Sequence, residues 1–483
     1  MKNKYISSLI LLSLLFAFTS CESFLGGDVN IDPNKTNDAG LNTLTPTILF
    51  FASEATQKAS VVTSAYIQQI GSVASGGTET QLRNTFAATW NDIYLNIIPN
   101  ANNMVKKAAS SNSPHYAGIA KTVIAYSLGL GTSLWENIPY KDADNQLTNF
   151  FPKYDTQEDI YKDIIRLLDE AIVDLGQASS VFKPGTDDLI YKGNISNWLK
   201  TAHSLKARYL LHLSKRNGTS SYAAILTALN NGIKSNAEDF QLIYNDRNLS
   251  RWHQVALANN TGNVTTNFSK TLIDLMNGEV QGVEDPRLPI MAFKTVANDP
   301  KFNGMLPGRA SGSNTRYNNG TTFFGFHFAL LAPHMLMTNA ESRFIEAEVR
   351  MLQNGGNATT EAYNAYLDGI RANMTKMNVP ATSINSFIAS ARVGVGAANL
   401  TLSNVLVEKY KALFLNPEAW NDLRRYNYSN SIIPLLNLPE LHNPDLGGQW
   451  IQRGAYPDSE GSRNAGSVQN NTKDLNAKMW IFN

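Results

Sequence analysis

A mainly α-helical fold built from paired helices is what this 483-residue sequence predicts. Three observations carry the prediction. Apolar residues recur at helical spacing along most of the chain. The periodic segments come in neighbouring pairs with short turns between them, and the second members carry Ala and Tyr three or four residues apart. Long Gly- and Asn-rich stretches then separate one pair from the next.

The elements follow in order. An early helix covers roughly "FAATWNDIYLNIIPNANNMVKKA" at 86–108. "YAGIAKTVIAYSLGLGTSLW" at 116–135 has small residues that permit close helix contact, and it pairs with "EDIYKDIIRLLDEAIVDLG". There Thr156 and Asp159 form a capping box, Ile160, Ile164, Leu168, Ile172 and Leu175 share a face, and Gly176 ends the helix. "ISNWLKTAHSLKARYLLHLSK" and "SYAAILTALNNGI" pair across an Arg-Asn-Gly turn at 216–218. "LMTNAESRFIEAEVRMLQNGG" pairs with "TEAYNAYLDGIRANMTKM". "LSNVLVEKYKALFLN" pairs with "PEAWNDLRRYN", where Pro417 suits a first helical turn. Such pairs resemble tetratricopeptide units, whose period is about 34 residues. About four of them would stack into a short right-handed superhelix carrying long irregular insertions. A generic helical domain is the alternative on periodicity alone.

The N-terminus carries a different signal. Lys2 and Lys4 precede an apolar run from Ile6 to Phe18, and Thr19 and Ser20 lead into Cys21, the only cysteine in the chain. A run of 13 residues is too short to span a bilayer, which takes roughly 20. The pattern is that of a signal peptide over residues 1–20. A small residue followed at once by cysteine resembles a bacterial lipoprotein signal, with Phe18 where Leu is commoner. One sulfur can form neither a disulfide nor a multidentate zinc site, but it can carry a diacylglycerol thioether. A soluble periplasmic protein with a stray thiol is the alternative. Residues 21–40, rich in Gly, Asn and Asp, read as a flexible tether. Residues 41–483 read as one helical domain, with its helix-pair scaffold near 116–234 and 335–427 and irregular ligand-side loops near 76–88, 240–333 and 437–476.

Composition narrows the partners. Loss of residues 1–20 removes two lysines and takes the formal charge from +1 to −1. No basic stripe is present, so nucleic-acid binding is not expected. Charged residues make up 17%, against a usual value of about 25%. Amides, hydroxyls and rings fill the gap and suit a neutral polar ligand.

Nine strings in order then carry a family resemblance. Behind "TSC" come "DPN" at 32–34, "WNDIYLNI" at 90–97, "LWENIPYKDA" at 134–143, "YDTQEDIYKDII" at 154–165 and "LIYKGNISNWLKTAHSLKARYLLHLSK" at 189–215. "EDPRLPIM" at 284–291, "LMTNAESRFIEAE" at 336–348, "EAWNDLRR" at 418–425 and "RGAYPDSE" at 453–460 complete the set. Together they resemble the SusD/RagB family of nutrient-binding outer-membrane lipoproteins of Bacteroidetes. The resemblance implies a scaffold of four tetratricopeptide-type pairs and a lipid anchor at Cys21. It also implies a role as the cell-surface lid of a SusC-type TonB-dependent barrel, which would import the captured oligosaccharide or, in some relatives, peptide.

Ligand contacts are sought where rings meet amides and guanidinium groups, because a sugar lays its C–H face on a ring while polar groups take its hydroxyls. Residues 301–333 offer Arg316, Tyr317, Asn318 and Phe324. Trp252, with Arg251 and His253, is a second candidate, and Arg83 and Asn84, near Phe86, a third. Each has a structural alternative: the run Phe323 to Phe328 serves equally as a plug on the scaffold. Trp90, Trp135, Trp198 and Trp420 fall at helical spacing and read as core. No H-E-x-x-H, G-x-S-x-G or Walker motif is present, and "VGVGAAN" at 393–399 lacks a dinucleotide turn's third glycine. Pro333 breaks the helix that would bring His327 and His334 together on a metal. No cofactor, metal or catalytic residue is expected. Glu341, Glu346 and Glu348, beside Arg343 and Arg350, read as helix-surface ion pairs. A surface glycoside hydrolase remains the enzymatic alternative, with no carboxylate pair nominated.

Overall fold

The computed structural model describes residues 39–73, 76–144, 149–294, 300–309 and 321–483. Signal peptide, Cys21 and most of the tether lie outside the described residues, as do Arg316, Tyr317 and Asn318.

Helices dominate. The first, α1 (Leu41–Tyr66), is the longest and was not expected from periodicity. Its buried positions include Ser53, Thr56, Gln57, Ser60, Thr63 and Ser64 on several faces, so no apolar stripe marks it. It is a central strut, lying against α2 (Ile98–Ser110) and α3 (Pro114–Trp135). The predicted early helix is divided: Ala87–Asn91 leads into a π-helical turn, Asp92–Ile97, before α2 begins. Pro99 has no N–H to continue the ladder, and the widened turn accommodates that gap.

The expected pairs follow. α3 packs on α4 (Gln157–Leu175), whose cap Thr156 accepts the Asp159 N–H at 3.2 Å. α5 (Ile195–His212) packs on α4 and on α6 (Tyr222–Asn230). Small residues do permit close approach: a Cβ on Gly129 of α3 would sit 2.3 Å from the Tyr209 ring of α5. α7 (Asn339–Gln353) packs on α8 (Thr360–Lys376) and on α9 (Leu402–Ala412), which precedes the short α10 (Glu418–Arg425). Trp90, Trp135, Trp198 and Trp420 are core residues, as their spacing predicts.

Three small antiparallel sheets order the 240–333 insertion: one ties it to the body, one closes its two ends on each other and one lies within it. β1 (Ile70–Ser72) pairs with β3 (Thr266–Phe268), and β2 (Phe240–Ile243) pairs with β6 (Pro333–Met337). β4 (Ala292–Lys294) pairs with β5 (Thr321–Phe323). The insertion is therefore less irregular than its composition suggests.

The acidic residues of α7 require a correction. Glu346 bridges Arg343 and Arg350 near the surface, but Glu341 and Glu348 are fully buried. Glu341 receives a bidentate pair from Arg208, both contacts at 2.6 Å, and Glu348 meets Arg425, Lys409 and the Tyr426 hydroxyl. Glu418 is held by His212 and lies 4.0 Å from Arg208. A third cluster joins Arg287 to Asp285 and Glu408, both at 2.5 Å, with Lys411 bridging the two carboxylates. Burial alone would push these carboxyls up. The facing cations instead bring Asp285, Glu348 and Glu418 down to about 2. Such clusters fix the register of helix on helix, and removing one partner is expensive.

Candidate ligand-binding cleft

The three loop regions marked by composition converge on one side of the molecule. Asn443 donates its backbone N–H to the Thr80 carbonyl at 2.9 Å and its side-chain amide to that of Gln81 at 3.3 Å. Glu440 donates its N–H to the Pro307 carbonyl at 3.2 Å and accepts a bidentate contact from Arg309 at 2.7 and 3.0 Å. Gly308 is required there: its φ is +81°, and a Cβ would meet the Glu440 carbonyl oxygen at 1.7 Å. Segments 76–88, 301–309 and 437–450 thus form one surface.

An open cleft of about 560 Å³ lies between Arg83 and the C-terminal run 445–476, with no lining residue from 301–309. Its floor is Trp135 and Tyr456, and both are fixed. The Trp135 indole N–H is shared between the carbonyls of Thr85 (3.2 Å) and Ala455 (3.1 Å). The Tyr456 hydroxyl donates to the Asn137 carbonyl at 2.8 Å. Beside them Gly454 donates its N–H to the Leu134 carbonyl at 2.7 Å, which sews the run 453–457 to the end of α3. The rim is polar and open. Arg83 and Asp458, both exposed, face each other at 3.0 Å across it, and Asp445, Lys473, Asp474 and Asn476 complete it, with Leu446, Val468 and Leu475 as apolar walls.

One buried group pins the far wall. Glu136 ends α3 at φ 74°, ψ −91°, a conformation that L-residues rarely adopt. Its carboxylate accepts from Arg453 Nη1 at 2.6 Å, from Lys473 Nζ at 2.8 Å and from the Trp480 N–H at 2.6 Å. Burial works against this charge, but Lys473 and Arg453 hold the carboxyl below its ordinary value. Arg453 also donates to the carbonyls of Ala477 and Lys478, so the C-terminal run wraps one buried ion cluster. The cleft pairs three cationic side chains, Arg83, Arg453 and Lys473, with three carboxylates over apolar walls, an arrangement able to hydrogen-bond ligand hydroxyls from several directions.

Of the residues the sequence nominated, Arg83 stands on this rim. Asn84 lies just behind it: its side-chain oxygen accepts the Phe86 N–H at 2.8 Å and its carbonyl accepts the Ala455 N–H at 2.9 Å, so it shapes the wall. Trp252 is corrected. It is only 2% exposed, inside the core, with its indole N–H on Ser60 Oγ at 3.2 Å and its ring edge-on to Phe323 and Phe328. Ser250 caps its helix, Arg251–Asn260, and turns that ring inward. Phe323 and Phe328 are core as well, in keeping with the plug alternative. Phe324 is exposed but is not part of the cleft wall; it stands beside exposed Phe293 on the β4–β5 ribbon, centroids 6.1 Å apart. Asp445, Asp458, Lys473 and Asp474 were not nominated. Two sequence signals cover them: the irregular ligand-side stretch 437–476, which contains all four, and "RGAYPDSE", which includes Asp458. Among the described residues no group of three His, Cys, Asp or Glu side chains is placed to hold a metal, and no helix is long and apolar enough to cross a membrane.

A SusD-like family model, described as "Starch-binding associating with outer membrane", matches residues 32–457. The chain belongs to the SusD-like family. Solved SusD-like structures share its fold. A chitin-binding protein superposes with a TM-score of 0.76 at 21% identity, covering 92% of this chain and 99% of the other. A SusD/RagB family protein from Bacteroides thetaiotaomicron gives 0.76 at 22% identity with the same coverage. A chitin-binding SusD homolog from Flavobacterium johnsoniae gives 0.70 at 18% identity, covering 92% of this chain and 96% of that one. Comparison with curated proteins gives no match. At these identities the SusD-like scaffold carries over and the contact residues do not.

Proposed function

We propose that this SusD-like chain is a non-catalytic glycan-binding lipoprotein of the outer membrane. In this reading the signal peptide 1–20 is removed, Cys21 is acylated, and residues 21–40 tether the helical body at the cell surface. The body acts as the lid of a SusC-type TonB-dependent barrel and hands it a captured oligosaccharide. The observation that carries the reading is the open polar cleft bounded by Arg83, Asp458 and the 445–476 run, on a chain whose family is described as starch-binding and whose structural neighbours include chitin-binding proteins. Starch and chitin oligomers are neutral chains of hydroxyl- or amide-bearing sugars, and the cleft supplies donors and acceptors for both. A peptide is the other ligand class such a rim could hold.

A hydrolytic role has little to work with. A glycosidase's general acid is a carboxyl kept protonated by sequestration. Asp445, Asp458 and Asp474, the three carboxylates of the cleft, are all exposed, and Asp458 is ion-paired with Arg83.

Isothermal titration with maltooligosaccharides, chitooligosaccharides and short peptides tests the reading, together with affinity purification from the native membrane. Binding to one glycan series with no turnover, alongside a co-purifying barrel, is expected. No binding to any series and no barrel would remove it.

A further inference from the structure

We propose that the end of the helical stack around Leu41, Phe182 and Lys183 is a membrane-contacting surface, seated on the lipid headgroups of the leaflet that holds the acylated Cys21. The inference rests on the acylation reading above and adds a defined orientation of the body to it.

Four observations meet at this end of the fold. Val181 and Phe182 are consecutive large apolar residues, 66% and 56% exposed. They do not hang from a loose loop. The Val181 N–H donates to the Asn112 carbonyl at 3.1 Å, the Phe182 N–H donates to Ser113 Oγ at 3.1 Å, and Ser180 Oγ donates to the Phe182 carbonyl at 2.5 Å. The turn between α2 and α3 therefore holds both side chains out toward solvent at an energetic cost in water.

Beside Phe182 is an open hollow of about 490 Å³, lined by Leu41, Asn42, Lys107, Tyr116 and Lys183. Two lysines, Lys107 and Lys183, line it, and the Asp187 carboxylate lies nearby. That carboxylate accepts from the Tyr116 hydroxyl at 3.0 Å and the Gly185 N–H at 2.8 Å, neutral donors that orient it and leave its charge in place. A ring and an apolar side chain beside the exposed Lys183 match the chemistry of an interface, where the ring sits at headgroup level and that ammonium meets phosphate.

Chain connectivity selects the occupant. Cys21 lies eighteen positions before Ala39, a length of chain that spans at most about 60 Å. Leu41, two residues after Ala39, itself lines the hollow. Of the body's surfaces, this end is therefore the one joined to the anchored sulfur by the shortest stretch of chain. A bilayer is thus present there at high effective concentration, which a soluble partner is not.

The test uses the full acylated chain in vesicles of phosphatidylethanolamine and phosphatidylglycerol. With the Cys21 sulfur closed as a thioether, Phe182→Cys provides a single thiol for an environment-sensitive fluorophore. The label is expected to shift to the blue and to be quenched by brominated lipid, while the same label at Ser462→Cys, near the cleft, stays water-like. Protein that floats with the vesicles but leaves the 182 label in water overturns this inference and spares the anchor. Protein that does not float overturns the anchor, and this inference with it. Shielding that appears only with the partner barrel, without quenching by brominated lipid, assigns the surface to protein and also overturns the proposal. In an unacylated Cys21→Ser chain, Lys183→Gln should weaken partition into the same vesicles about fivefold; equal partition would contradict the role given to that lysine.

Discussion

Replacing Glu136 by alanine is predicted to cost about 3 kcal/mol of stability and to loosen the cleft. Its carboxylate is buried and serves three donors: Arg453, Lys473 and the Trp480 N–H. Lys473 is half exposed and regains water when its partner goes, so its share of the loss is small. Arg453 is not so placed. Its side chain is 3% exposed, and without Glu136 it keeps only the Ala477 and Lys478 carbonyls, leaving a buried cation without a counter-charge. Breaking a buried pair from one side costs about 3–5 kcal/mol, and the two remaining carbonyl contacts place this case at the lower end. The backbone gives an internal control. At φ 74° and ψ −91° an L-residue is strained, so Glu136→Gly should be about 1 kcal/mol less harmful than Glu136→Ala. Urea denaturation followed by tryptophan fluorescence reads both, and titration with a bound glycan reads the cleft. An alanine variant within about 0.5 kcal/mol of wild type would refute the reasoning, and a glycine variant no better than alanine would refute the strain argument.

Other outcomes follow from the same physics. Trp252→Ala should destabilise by about 3–5 kcal/mol, because the ring is core; thermal unfolding checks this, and an unchanged melting temperature with lost glycan binding would restore the ring as a ligand contact. Arg287→Met should cost about 3–5 kcal/mol, since Asp285 and Glu408 would share only Lys411; chemical denaturation measures it. Acid should weaken the fold in two stages. Burial holds His327 and His334 down at about 3, so the unfolded chain gains protons at these two sites first as the pH falls below about 6.5. Stability then drops by up to about 1.4 kcal/mol per pH unit for each histidine until about pH 3. Asp285, Glu348 and Glu418, also depressed, add their loss below about pH 4.5 and toward 2. Denaturation midpoints at pH 7 and 5 should differ less in His334→Gln than in wild type. Arg83→Ala should change stability by less than about 1 kcal/mol, because its partner is exposed, and should weaken glycan binding in titration calorimetry.

The helix pairs were legible because amphipathic periodicity survives wherever a helix has one wet face. α4 shows this best, with its face and stop in place and its Thr156 cap formed, although the Thr156 hydroxyl bonds the Asp159 carboxylate and the reciprocal arm of the capping box is absent. α1 was not legible for the opposite reason. It is packed on several sides, and its buried Ser, Thr and Gln residues erase the stripe. Three family strings gain a physical meaning only in the folded chain. "EDPRLPIM" carries Asp285 and Arg287, "LMTNAESRFIEAE" carries Glu341 and Glu348, and "EAWNDLRR" carries Glu418, Asp422 and Arg425, all members of buried ion clusters that each include a partner remote in sequence. Trp252 misled because its neighbours Arg251 and His253 are polar, while helix geometry sends adjacent side chains to different faces. The cleft was half visible. Composition marked its loops, but the carboxylates at 445, 458 and 474 come together only because the C-terminal run closes around Glu136.

Hydrogen exchange across the chain, with and without a saturating oligosaccharide found by titration, tests the central claim most directly. Slowed exchange in 80–86, 445–461 and 468–476 is predicted, with the α5–α6 and α7–α8 pairs unchanged. Protection confined to 240–294, with none around Arg83 and Asp458, would contradict the account.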